Sequence, residues 1–122
     1  MSDIEEQFNK MLKMDIDSLY ILAGAEISKL PERLPDGRFR IKEGVVEVKS
    51  VKFYAEIVND FIQKNYRKLK EIICPHYNKN RENVLDLATI TSMLSAYFGG
   101  TGFVFPLLAL MMRRGLDKMC NL

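Results

Sequence analysis

This chain has little of what usually announces chemistry. Its 122 residues include one histidine, two cysteines and no tryptophan. The histidine stands in Cys74-Pro75-His76-Tyr77, where Cys-x-His offers two zinc ligands, fewer than a structural or a catalytic zinc site requires. Cys120 would have to return to that place, and the spacing of the carboxylates does not supply the missing ligands. A nucleophilic Cys–His pair is equally thin, because residues two apart on a loop lack the geometry of a nucleophile and its base. No metal, cofactor or catalytic residue is therefore expected, and the chain reads as a non-enzyme.

Two cysteines are too few for a disulfide framework. Free, buried thiols in a reducing cytoplasm are the expectation. The N-terminal MSDIEEQF is acidic and amphipathic and lacks the apolar run of a signal peptide. Charge of one sign is also scarce, with a net charge of only +2. That balance gives no global attraction to nucleic acid or anionic lipid. Neither a low-complexity tract nor a Ser/Pro/Gly-rich linker interrupts the chain, so residues 1–122 are expected to form a single domain.

What is present is helical periodicity. Ser2 or Asp3 can cap a first helix carrying Ile4, Phe8, Met11 and Leu12 on one face. Asp17 or Ser18 can cap a second, SLYILAGAEISKL, which Pro31 ends. Its Ala23, Gly24 and Ala25 would let another backbone approach closely. After the turn-rich PERLPDG the period changes. With Glu43-Gly44 as a two-residue turn, Ile41 pairs with Val46 and Phe39 with Val48 on one face, and Arg40 faces Glu47 on the other. This predicts a short β-hairpin over 38–49. Ser50 then caps the longest helix, 51–73, with a stripe of Val51, Tyr54, Ile57, Val58, Phe61, Ile62, Leu69, Ile72 and Ile73. Pro75 ends it. Two further helical stretches are expected at 82–98 and 103–119. The fold class is mainly α, a compact bundle of about five helices with the hairpin before the longest one.

The last third is the most apolar. No charged residue occurs from Leu87 to Met112, a run longer than the roughly 18 apolar residues that suggest a membrane span. Thr89, Thr91, Ser92 and Ser95 dilute the run, and Gly99-Gly100-Thr101-Gly102 divides it. A helical hairpin over 84–119 in a bundle core is the reading, with the glycines as its turn and Pro106 in the first turn of the second arm. A bilayer hairpin using 87–112 is the alternative. The glycine stretch precedes a helix, as a phosphate loop does, but Phe103-Val104-Phe105 follows where a P-loop would continue Gly-Lys-Ser/Thr.

Basic residues Lys64, Arg67, Lys68 and Lys70 gather near Tyr66, and Arg38, Arg40 and Lys42 bracket Phe39. Interleaved acids Glu56, Asp60 and Glu71 argue for a solvated face rather than a nucleic-acid surface. Of these, Lys64, Arg67 and Lys68 form the candidate basic patch. The functional expectation is a protein–protein interaction module or small assembly subunit, either self-associating or bound to a partner protein. Its candidate contact surface is Tyr97, Phe98, Phe103 and Phe105, around the glycine turn, because aromatics and methionine are enriched at such contacts. Its expected location is cytoplasmic, with membrane association as the alternative.

Overall fold

A computed structural model describes residues 3–33, 35, 36, 38–40, 50–77 and 86–120. Helix α1 spans Asp3–Leu12 and α2 spans Ile16–Ser28. The cap of α2 is Asp15, one turn earlier than the Asp17 or Ser18 expected from sequence. Its carboxylate accepts from the Ser18 amide at 3.0 Å and the Ser18 hydroxyl at 2.8 Å. Those two bonds satisfy an orphan N-terminal donor and fix the start of the helix.

Two short strands follow, β1 at Glu32–Arg33 and β2 at Phe39–Arg40, paired antiparallel with Glu32 opposite Arg40. This corrects the expected hairpin. Phe39 and Arg40 pair backward across the Pro35-Asp36 turn, with residues assigned to the connector. The Glu43-Gly44 turn and the proposed partners Ile41, Val46, Glu47 and Val48 lie outside the described residues. Asp36 organises this turn, accepting from the Arg38 backbone amide at 3.0 Å and from Arg38 Nε at 2.6 Å. A side chain that hydrogen-bonds its own backbone two residues on closes a turn earlier than the proposed one.

The expected long helix is two helices, α3 at Val51–Lys64 and α4 at Tyr66–Ile73. Ser50 caps α3 as expected, accepting from the Phe53 amide at 3.2 Å. The break falls at Asn65, whose φ of −112° and ψ of 17° leave the helical region. The Phe61 carbonyl accepts from both the Asn65 backbone amide at 3.0 Å and Asn65 Nδ2 at 2.9 Å, so the side chain reinforces the last bond of α3 where the backbone turns out of the helix. A single 3-10 turn, Cys74–His76, ends α4.

Helix α5, Leu87–Phe98, and helix α6, Val104–Arg114, flank the glycine stretch, and a final four-residue α7, Leu116–Met119, follows. Residues 82–85, expected to open the first arm, lie outside the described residues. Asp86 caps α5 by accepting from the Thr89 amide at 3.3 Å. Gly99 closes α5 at φ 82°, a left-handed conformation that glycine adopts without steric cost. Pro106 sits within the first turn of α6, where its missing N–H is harmless.

Helix α6 is the hub of the fold. It packs against α1, α2, α5 and α7, and Val104, Leu107, Leu108, Ala109 and Leu110 are fully buried. A helix apolar on every side belongs in a core, where each face finds a partner. The buried side chains form one cluster that runs from Phe8 of α1 to Met119 of α7.

One sequence expectation is overturned outright. Cys74 and Cys120 are joined by a disulfide, and neither is a free thiol. The fold brings the end of α4 and the end of α7 together, although 46 residues separate the two cysteines in sequence. The cytoplasmic expectation rested on free thiols and loses that support, since disulfides persist mainly in oxidising compartments.

Candidate interaction surface

The four aromatics expected to form a contact surface do not share one exposed face. Phe103 is fully buried and Phe98 is 8% exposed. They close a ring cluster with Phe61 of α3, with centroids 4.9 Å apart for Phe61–Phe98 and 5.7 Å for both Phe61–Phe103 and Phe98–Phe103. Tilted and edge-on geometries of this kind suit the aromatic quadrupole. Phe105 is half-buried and meets the edge of Phe8 on α1 at 6.0 Å. Tyr97, also half-buried, stacks edge-on against Phe98 at 4.8 Å. The glycine turn thus aims its rings at the chain's own helices, and only Tyr97 and Phe105 retain some exposure.

The basic patch is partly neutralised by its own neighbours. Lys64 Nζ lies 3.0 Å from Asp60 one turn back, and Lys68 Nζ lies 3.8 Å from Glu71. Lys68 Nζ also stands 4.8 Å above the Tyr97 ring, a cation–π contact that ties α4 to α5. Arg67 is exposed. Exposed pairs of this sort contribute up to about 1 kcal/mol and leave little net field for a polyanion.

The paired arginines after the apolar run serve the fold. Arg113 donates to the Met14 carbonyl between α1 and α2, and Arg114 Nη1 donates to Asn59 Oδ1 on α3 at 2.6 Å. Both are exposed yet pin the C-terminal end of α6, one to the connection between α1 and α2 and the other to α3.

His76 Nδ1 lies 4.0 Å from Asp86 Oδ2. The Asp86 carboxyl is held below its ordinary value, mainly by the Thr89 side-chain and backbone hydrogen bonds and less by the nearby imidazole. Among the described residues no three His, Cys, Asp or Glu side chains gather as a metal site would require. Two surface depressions stand out. One of about 550 Å³ runs along α3 between Phe53, Glu56, Ile57, Asn59, Asp60 and Gln63. Another of about 260 Å³ lies where α3 and α4 meet α6 and α7, against Ile62, Tyr66, Met111 and Leu116. Neither joins a nucleophile to a base.

The surface that sequence reasoning missed is on α2. Leu19, Ala23, Gly24 and Ile27 turn inward. Ile16, Ile21 and Leu22 remain 37–39% exposed. At 100° per residue, Ile21, Ala25, Ser18, Lys29 and Leu22 follow one another around the outward side, flanked by Asp17 and Glu26. The sequence signal was available: SLYILAGAE has no polar face, so burying one side necessarily leaves apolar residues on the other.

Comparison with protein-family models, curated proteins and solved structures finds no match to this chain. Its class is set by the architecture alone, a mainly helical bundle built around α6. Among the described residues no helix is long and apolar enough to cross a membrane.

Proposed function

We propose that the chain is a non-enzymatic protein–protein interaction module that associates with a second copy of itself through the outward face of α2. One contrast carries the reading. Helices α2 and α6 both carry apolar residues on more than one side, but only α6 is enclosed on nearly every side. A surface helix ordinarily turns polar residues to water. Ile21 and Leu22 on α2 do the opposite, and a further contact would complete their burial.

A second copy fits because the middle turn of that face, Ile21, Leu22 and Ala25, is uncharged, with Asp17 a turn before it and Lys29 a turn after. Closed two-fold pairing is also the commonest form of soluble assembly. Ile4 of α1 and Met93 of α5 are further exposed apolar side chains, while Tyr97 and Phe105 could add half-buried rings at an interface rim.

The test is light scattering during size-exclusion chromatography of the detergent-free protein. A species at twice 14.1 kDa that becomes monomeric in Ile21→Glu/Leu22→Lys, with an unchanged helical spectrum, supports the reading. A wild-type monomer at high concentration overturns self-association. Recovery only with membranes would favour the alternative, a membrane-attached protein using residues 87–112.

A further inference from the structure

We propose that the Cys74–Cys120 disulfide is a redox-operated latch that holds α7 against the bundle and releases it on reduction. Four features of the C-terminal end converge on this. First, α7 has only four residues and no side-chain N-cap. A single turn of that length does not hold its helical shape alone, because nucleation is unfavourable without propagation. Second, it is joined to α6 through Gly115 at φ 112°, a backbone conformation closed to most side chains and a natural swivel. Third, the apolar anchorage of α7 consists of Leu116 and Met119, both buried beside the depression formed by Ile62, Tyr66 and Met111. Fourth, the covalent tie lies at the far end of α7, on Cys120, so it closes the swivel from the opposite side.

Both cysteines are half-buried rather than sealed, so a reductant can reach the bridge. The rest of the core does not depend on it. Helix α6 is gripped by α1, α2 and α5, and its end is pinned by Arg113 and Arg114 upstream of Gly115. Reduction therefore frees the segment beyond Gly115 and leaves the bundle standing.

The reductant is a dithiol. One of its thiolates attacks a sulfur of the bridge, the S–S bond breaks, and a mixed disulfide forms while the other cysteine leaves as a thiolate and takes up a proton. The second thiol of the reductant then displaces the remaining cysteine, which is protonated in turn. Two electrons and two protons pass to Cys74 and Cys120, and the dithiol leaves as its own disulfide. Once α7 swings away, Ile62 and Met111 are bared and the depression opens.

Amide hydrogen exchange of the full chain, oxidised and after dithiothreitol, reads the latch directly. Exchange over 116–120 is expected to accelerate by about tenfold or more on reduction, with α5 and α6 amides unchanged, as for a local opening. Cys120→Ser without reductant should show the same pattern. Unchanged protection at 116–120 on reduction overturns the proposal, and so does loss of protection throughout α5 and α6. Intact-mass measurement after alkylation without reductant gives an independent check. Two alkylated cysteines would overturn it, and none would support it.

Discussion

Gly24 of α2 crosses Tyr54 of α3 so closely that a Cβ on the glycine would stand 2.8 Å from both the Cβ and the carbonyl oxygen of Tyr54. Those neighbours belong to backbone or lie next to it, so they cannot rotate aside. Gly24→Ala must push the two helices apart, and overpacking of this kind costs about 1–3 kcal/mol. At Gly102 a Cβ would instead meet the tip of the Glu26 side chain at 2.3 Å. That carboxylate can swing away, so Gly102→Ala should be the milder change. Urea melts of the two variants check the order; equal losses would contradict the close-crossing account.

Phe103 separates fold from assembly. Being fully buried against Phe61 and Phe98, it should lose about 3–5 kcal/mol on truncation to alanine. For a domain of ordinary stability that is a large share. Phe103→Ser should therefore unfold the monomer rather than break an interface. Phe105→Ser, at a half-buried ring, should be tolerated better. Circular dichroism with thermal melting distinguishes the two.

Ser50 offers a clean test of local helix energetics. Its hydroxyl accepts from the Phe53 amide at the start of α3. Ser50→Ala should destabilise by about 1 kcal/mol, and Ser50→Asp should restore the cap. A melting temperature unmoved by alanine would show that the cap contributes nothing.

Acid should weaken the fold through its capping carboxylates. Asp15 and Asp86 both have folded pKa values below the ordinary 3.8, each chiefly because of hydrogen bonds from the residue three positions on. A depressed folded pKa means the carboxylate form is favoured by folding. Its contribution is complete above the unfolded value and is lost as pH falls through the folded one. The melting temperature should be flat on this account above about pH 5 and decline below about pH 4. Asp86→Asn should flatten part of that decline, and an unchanged acid limb in that variant would remove Asp86 as a contributor.

Much of the helical framework was legible in the sequence because its signals are local. Ser50, the apolar stripe after it, the glycine turn at 99–102 and Pro106 all act within a turn or two of chain, and the structure uses each as expected. Local competition, by contrast, was misjudged. The long helix breaks at Asn65, where the backbone leaves the helical region, and Asp36 helps close a turn that pairs Phe39 with Arg33.

The candidate surface also moved. Composition identifies aromatics, but not which of them another helix will cover. Phe98 and Phe103 were claimed by Phe61, while Ile21 and Leu22 were left outside. By itself, the sequence determined that the chain is mainly helical, the Ser50 cap of α3 and the apolar character of the final third, since propensity, capping and periodicity are short-range. Only the tertiary structure decided that Cys74 meets Cys120, that Arg113 reaches Met14 and that the outer side of α2 stays uncovered. Those are encounters between distant segments, fixed by how helices pack around α6.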